Sequence, residues 1–120
     1  MKNIESKIQS QCVAWFRMQY PKLVLFAIPN GGKRNVITAT IMKREGVLKG
    51  VPDLFLAKPS GQYCGLFIEM KKPRGALTKD QKNIHATLLV EGYGVIICRS
   101  LDEFIFWVNE YLQVNSHNWT

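Results

Sequence analysis

Apolar residues recur along the first twenty positions of the chain at steps of three and four. The residues with this spacing are Ile4, Ile8, Cys12, Trp15 and Phe16. Such spacing places them on one face of an α-helix. Pro21 follows and cannot continue the helix. The pattern therefore predicts a first helix over residues 4–20 with one buried face.

Shorter apolar runs alternate with helical patterns in the rest of the chain. We expect strands at residues 23–28, 51–58, 63–71 and 93–98, and helices at residues 36–45, 79–91 and 101–112. Two of the helices begin with capping boxes, formed by Thr78 with Gln81 and by Ser100 with Glu103. The order α-β-α-β-β-α-β-α predicts an α/β fold, with a mixed sheet of about four strands and helices on both sides.

The two middle strands bring charged residues together. A hairpin centred near Gly61 pairs Asp53 with Glu69, because the two positions are equidistant from the turn. Lys71 shares a face with Glu69, since alternate strand residues point the same way. Adjacent carboxylates repel each other unless a cation lies between them or one takes up a proton. The arrangement predicts a site for Mg²⁺ or Mn²⁺, which can make a bound water nucleophilic.

The same residues also have a purely structural interpretation. Pro52-Asp53 can simply begin a strand, and the E-x-K triplet of Glu69 to Lys71 can be a solvated pair of charges. The flanking segments are nearly all apolar, which is typical of central strands covered on both faces. Charges at the ends of such strands call for a reason, and this favours the metal site.

Positive charge is concentrated on either side of this site. The net charge is +7, no acid occurs between Glu5 and Glu45, and residues 71–82 contain only Asp80 against five basic residues. Basic residues often serve only to keep a surface soluble. Here they flank buried acids, and a polyanionic substrate such as nucleic acid explains both features.

Cysteine use and hydropathy restrict the class of protein. Cys12, Cys64 and Cys98 are widely spaced among apolar neighbours, which predicts reduced core residues rather than disulfides or a zinc site. The sequence contains no apolar run of membrane-spanning length and no signal peptide pattern. We expect one domain over residues 1–112, a flexible tail over residues 113–120, and a cytoplasmic protein without a membrane partner.

A glycine pair lies in a basic loop formed by Asn30, Gly31, Gly32, Lys33 and Arg34. Glycines in such a loop let backbone amides approach a phosphate, and the alternative is a tight turn between strand and helix. The Gly-Lys-Ser/Thr ending of a nucleotide-binding loop is missing. We therefore expect contact with DNA and no nucleotide cofactor.

Five ordered motifs together resemble the virus-type replication-repair nuclease domain, VRR-NUC, of the PD-(D/E)XK superfamily. They are Glu5 on the first helix, IPNGGKR at 28–34, EGVLKGVPDL at 45–54, IEMK at 68–71 and LTKDQ at 77–81. The resemblance covers residues from about 4 to 112. A chain of this length is similar to the free-standing phage and bacterial members of the family. It implies a restriction-endonuclease-like fold.

The resemblance also implies roles for the residues of the central motifs. Asp53 and Glu69 would ligate Mg²⁺ or Mn²⁺, and the backbone carbonyl of Met70 would complete the inner shell. Lys71 would orient the attacking water and offset charge that develops on the phosphate. Lys72, Arg74 and Lys79 would join the glycine loop in binding DNA.

Two further residues match the family pattern and retain simpler explanations. Glu5 would reach the metal directly or through a water, although an acid in the first turn also favours the positive end of a helix. Gln81 would belong to the catalytic group, although its position also suits it to cap Thr78.

The implied activity is metal-dependent, structure-selective DNA endonuclease cleavage. Free-standing relatives resemble Holliday-junction resolvases acting as homodimers, in a bacterial cell or a phage-infected host. The alternatives are a monomeric flap or nicking nuclease and a catalytically silent DNA-binding accessory protein. Aromatic residues that span several faces of the last helix suit either a partner subunit or the core. They are Phe104, Phe106, Trp107 and Tyr111.

Overall fold

The computed structural model describes residues 4–29 and 36–118, with only the backbone of Val36 and of residues 114–118. Within these ranges four helices flank one four-stranded sheet. The elements are α1 (Ile4–Gln19), β1 (Leu25–Ala27), α2 (Val36–Arg44), β2 (Leu54–Leu56), β3 (Leu66–Met70), α3 (Lys79–Val90), β4 (Gly94–Cys98) and α4 (Leu101–Asn118). This order confirms the predicted α/β fold, and the strands are shorter than expected.

The sheet is mixed because its connections differ in length. The strand order is β1-β2-β3-β4, with antiparallel pairing between the first three strands and parallel pairing between β3 and β4. A short turn joins β2 to β3, whereas α3 forms the crossover that a parallel pair requires. The register of β2 and β3 pairs Leu54 with Ile68. The hairpin is therefore centred on Gly61, as its sequence indicates.

One face of the sheet packs against α1 and α4. Phe16 of α1 and Phe104 of α4 are fully buried there against Ile68 and Met70 of β3. Strand alternation points Phe67 and Glu69 to the other face. There the ring of Phe67 lies 4.5 Å from that of Phe55, centroid to centroid. The hydrophobic core thus fixes which way Glu69 of β3 points.

Two details at the start and end of α4 differ from the prediction. The backbone N–H of Glu103 donates to Ser100 Oγ at 3.1 Å as expected, but Glu103 Oε1 accepts from the N–H of Arg99 at 2.7 Å. The carboxylate thus reaches one residue further back than a capping box requires. The helix also continues to Asn118, because no glycine or proline follows Leu112 to end it. The flexibility expected of residues 113–120 stays a prediction.

The expectation that all three cysteines lie in the core is wrong for one of them. Cys12 and Cys98 are buried, whereas Cys64 is exposed, and all three are free thiols. Cys64 follows the turn bridged by Ser60 and Tyr63 and precedes the first residue of β3. Its position beside the turn leaves it outside the layer between sheet and helices. No helix in the described part of the chain is long and apolar enough to cross a membrane.

Candidate active site

Asp53 and Glu69 lie across from each other where β2 begins and β3 ends. Asp53 directly precedes β2, and the β2–β3 register continued by one residue places it opposite Glu69. Its Oδ2 accepts a 2.7 Å hydrogen bond from the backbone N–H of Met70. The convergence predicted from the sequence is therefore what the hairpin produces, and a strand amide fixes the Asp53 carboxylate.

Two side chains of α3 contact the Glu69 carboxylate, one at each oxygen. Gln81 Nε2 donates to Oε2 at 3.2 Å, and His85 Nε2 lies 3.1 Å from Oε1. The Glu69 side chain is only 3% exposed, so these contacts replace much of its hydration. A buried acid with partners of this kind is held in one orientation.

The electrostatics of the pair are those of two acids that compete for one proton. Burial, and then repulsion from Asp53, raise the pKa of Glu69 to about 8. Burial also raises the pKa of Asp53, against the lowering effect of its hydrogen bond from Met70. In the absence of a cation, the pair therefore holds a proton near neutral pH. A divalent cation could take the place of that proton.

Lys71 places a positive charge beside both acids. The residue is buried, with an exposed fraction of 8%. Its charge lowers the pKa of Asp53, of Glu69 and of His85. Opposite charges at close range stabilise each other, so Asp53, Glu69 and Lys71 form one electrostatic unit. This agrees with the face that strand alternation assigns to Lys71.

Gln81 caps α3, as its sequence position suggests, and also contacts the carboxylate pair. Its Oε1 accepts from the Thr78 N–H at 2.9 Å, and its own N–H donates to Thr78 Oγ1 at 3.1 Å, which is a complete capping box. The remaining side-chain group, Nε2, donates to Glu69. One amide therefore fixes the start of α3 and connects it to the carboxylate pair.

His85 belongs to the site and was not identified from the sequence. Its position in the chain gives no metal-ligand spacing, because no cysteine or second histidine stands near it. The available signal was its position four residues after Gln81, which places both side chains on one face of a helix. The sequence does not show that the face of α3 with Gln81 and His85 lies against β3, and the place of His85 in the site depends on that orientation.

Glu5 contributes charge to the site from the first turn of α1. It is half-buried, and its charge raises the pKa of both Asp53 and Glu69. Across residues 4–29 and 36–118, however, no three His, Cys, Asp or Glu side chains are grouped closely enough to hold a metal ion. A direct bond from Glu5 to the same metal as the other two acids would require a change in its position.

The residues present nevertheless fit a hard divalent cation. Asp53 and Glu69 provide oxygen ligands, and the pKa of each is raised mainly by burial, an effect that a nearby cation would oppose. Mg²⁺ commonly binds through one or two carboxylates and keeps several waters. A site with two protein carboxylates is therefore sufficient for such an ion, with the Met70 carbonyl as a further oxygen nearby.

The residues expected to bind DNA fall into two groups. Asn30, Gly31, Gly32, Lys33 and Arg34 lie outside the described residues. Lys72, Arg74 and Lys79 are all exposed on the loop after β3 and at the start of α3. A groove of about 740 Å³ runs from α2 to Gln81, and its lining includes Lys43 and Lys49. Positive side chains therefore line part of a groove that reaches Gln81, the residue that donates to Glu69.

Two comparisons with known proteins agree on the family. A family model described as the VRR-NUC domain matches residues 2–102, a range that contains the whole candidate site. The chain is also similar to a solved structure described as a VRR_NUC domain protein, with a TM-score of 0.80 and 28% sequence identity. That similarity covers 96% of this chain and 93% of the other. No curated protein matches the chain.

Proposed function

The chain belongs to the VRR-NUC domain family, a family of nuclease domains that process DNA, and from that premise we propose that it is a metal-dependent endodeoxyribonuclease. Nucleases of this type generally use divalent metals. The observation that carries the proposal is the pair formed by the half-buried Asp53 and the buried Glu69 beside the buried Lys71. Stability alone would not favour two acids at such a position.

Each residue has a definable task in phosphodiester hydrolysis. Asp53 and Glu69 would hold Mg²⁺ or Mn²⁺, with the Met70 carbonyl as a third oxygen. When bound, the cation supplies a Lewis acid and lowers the pKa of water. Lys71 orients the attacking water and stabilises negative charge that develops on the phosphate. Glu5 would add negative charge and act through a water, since it is not grouped with the other acids.

Gln81 and the basic residues position the substrate. Gln81 keeps α3 aligned with Glu69 through its two sets of hydrogen bonds. Lys72, Arg74 and Lys79 are free to contact backbone phosphates, as we also propose for the loop at residues 30–34. Contacts of this kind give affinity without sequence selectivity, which suits an enzyme that selects DNA by its branched structure.

Within this activity, we propose cleavage of Holliday junctions by a homodimer. One domain has one candidate site, and a four-way junction requires two coordinated cuts, which a two-fold dimer provides. The last helix supports this in part. Phe104 is fully buried in the core and Tyr111 is half-buried, but Phe106 and Trp107 are 54% and 46% exposed. Phe106 and Trp107 are therefore the aromatic residues of α4 available to a partner subunit.

The test is cleavage of four-way junction, flap and linear duplex DNA with Mg²⁺ or Mn²⁺, together with the molecular mass in solution. We expect symmetric junction cleavage by a dimer. If a monomer preferentially cuts flaps or nicks duplex DNA, the protein is a monomeric flap or nicking nuclease and does not resolve junctions. Tight DNA binding without cutting of any substrate would identify a silent accessory protein and contradict the enzymatic proposal.

A further inference from the structure

We propose that His85 is a positioning residue that, together with Gln81, fixes the carboxylate plane of Glu69 for metal binding. The proposal rests on the nuclease function above. His85 would act through Glu69, without contact to the DNA or the metal. Three observations carry it: the two contacts at opposite oxygens, the burial of the group, and the chemical type of the two donors.

The first observation is that both oxygens of Glu69 are engaged from the same helix face. Gln81 and His85 stand four residues apart on α3, and their contacts to Oε2 and Oε1 are 3.2 and 3.1 Å long. The terminal torsion of a glutamate is otherwise broad and nearly free. Contacts at both oxygens restrict this rotation, so the remaining lone pairs keep one direction. Asp53 stands on the facing strand in the paired register.

The second observation is burial. The side chains of His85 and Glu69 are 8% and 3% exposed, so water cannot replace the imidazole contact without reorganisation. A lost donor would leave a buried carboxylate oxygen without a partner, and such losses cost about 1–3 kcal/mol. The contact therefore determines the orientation of the acid more strongly than an exposed hydrogen bond would.

The third observation is that an amide and an imidazole, rather than a lysine or an arginine, contact the two oxygens. Gln81 is neutral at any pH, and a neutral imidazole can donate one N–H. A neutral donor orients the carboxylate while leaving its negative charge available to a cation. A lysine in place of His85 would compete with the metal for the same acid. Partners of this type around metal-binding acids typically change metal affinity by 10- to 100-fold.

The experiment uses two substitutions that differ only in reach. In His85→Gln, the amide nitrogen can occupy the place of the imidazole Nε2 and donate to Glu69. In His85→Asn, the amide ends nearer the backbone, in the region of Nδ1, and cannot reach the acid. Mn²⁺ titration followed by electron paramagnetic resonance measures metal affinity independently of DNA cleavage. Thermal unfolding of the metal-free proteins checks that each variant is folded.

We expect His85→Asn to weaken Mn²⁺ binding by about 10- to 100-fold and His85→Gln to remain within about threefold of the wild type. His85→Leu keeps most of the side-chain volume in a strong helix former, and it should reproduce the Asn result if the Asn variant does not fold. Unchanged affinity in the Asn or Leu variant would overturn the proposal. Equal losses in Gln and Asn would do so as well, because they would indicate that the imidazole itself binds the metal.

This design separates the failure of the inference from the failure of the function. If wild-type protein binds Mn²⁺ and cleaves DNA while all His85 variants bind equally well, only the positioning role is wrong. If wild-type protein neither binds Mn²⁺ nor cleaves DNA, the nuclease proposal fails and the role of His85 fails with it.

Discussion

The two ends of the β2–β3 hairpin bury polar groups in opposite ways. At the turn end, the hydroxyl of the buried Ser60 donates to the backbone carbonyl of Tyr111, and the Tyr111 hydroxyl donates to the Lys58 carbonyl at 2.6 Å. Both hydroxyls are neutral, and each donates a hydrogen bond to a backbone carbonyl. At the open end, burial raises the pKa of both Asp53 and Glu69, and repulsion from Asp53 raises that of Glu69 further. Both acids lie beside the buried Lys71.

The comparison shows which end contributes to stability and which to chemistry. The turn end also encloses a largely apolar pocket of about 380 Å³, whose lining includes Leu66 and Trp107. Its polar contacts and apolar packing both favour the folded state. The acids at the open end lower stability unless a cation joins them, and proteins retain such groups at functional sites. Substitutions at the two ends should therefore have opposite effects on stability and activity.

The largest effect should come from removing charge at the open end. We expect Asp53→Asn, Glu69→Gln and Lys71→Ala each to lower DNA cleavage by at least about 10³-fold, which corresponds to about 4 kcal/mol of transition-state stabilisation. Cleavage rates with Mn²⁺, circular dichroism and DNA affinity measured on the same proteins test this. The fold and much of the DNA affinity should remain. Undiminished nicking by Lys71→Ala would remove that residue from the mechanism.

The matched change at the turn end should affect stability alone. Leu66 is 2% exposed where β3 begins, and Leu66→Ala should lower the free energy of unfolding by about 2–5 kcal/mol. Urea denaturation measures the loss. Cleavage per folded molecule should stay within about threefold of the wild type, because the substitution leaves the carboxylate pair in place. Loss of activity at temperatures where the variant is folded would show that the two ends are not independent.

The open end should also make the stability of the metal-free protein depend on pH. The pKa of Glu69 rises from an ordinary 4.5 to about 8 on folding, so the folded state retains a proton that the unfolded chain releases. The free energy of unfolding should therefore fall as pH rises through this window, by at most about 1.4 kcal/mol per pH unit. Denaturation at several pH values should show a flatter profile in Glu69→Gln. If the free energy of unfolding depends on pH equally steeply in that variant, a group other than Glu69 causes the dependence.

A smaller change is expected from the tyrosine that closes the turn end. Tyr111→Phe removes the hydroxyl that donates to the Lys58 carbonyl and should cost about 1 kcal/mol of stability. A chemical denaturation midpoint detects a change of this size. Cleavage and Mn²⁺ affinity should be unaffected, and a fall in either would contradict the division between the two ends.

Local rules predicted much of the fold and the centre of the site. The equal spacing of Asp53 and Glu69 from Gly61 was enough to place the acids together, and the capping box at Thr78 was enough to locate α3. Both depend on residues close in sequence or on a single hairpin. Strand alternation likewise assigned Lys71 to the correct face.

Local rules could not predict contacts between elements that are distant in sequence. The role of His85 depends on how α3 is rotated over β3 after a crossover, and spacing along the chain does not fix that rotation. The same holds for Glu5, whose distance from the acids depends on how α1 packs against the sheet. Cys64 has apolar neighbours in sequence but stands beside a turn, so its exposure followed from the hairpin geometry.

The most direct test of the central claim is calorimetric titration of Mn²⁺ into wild-type protein, Asp53→Asn and Glu69→Gln at pH 7.5. Because the acids compete for one proton, repeating the titration in buffers of different ionisation enthalpy also counts the protons released. We predict binding by the wild type with proton release, and loss of that binding in both variants. Equal Mn²⁺ affinity in all three proteins would contradict a metal site at the Asp53–Glu69 pair.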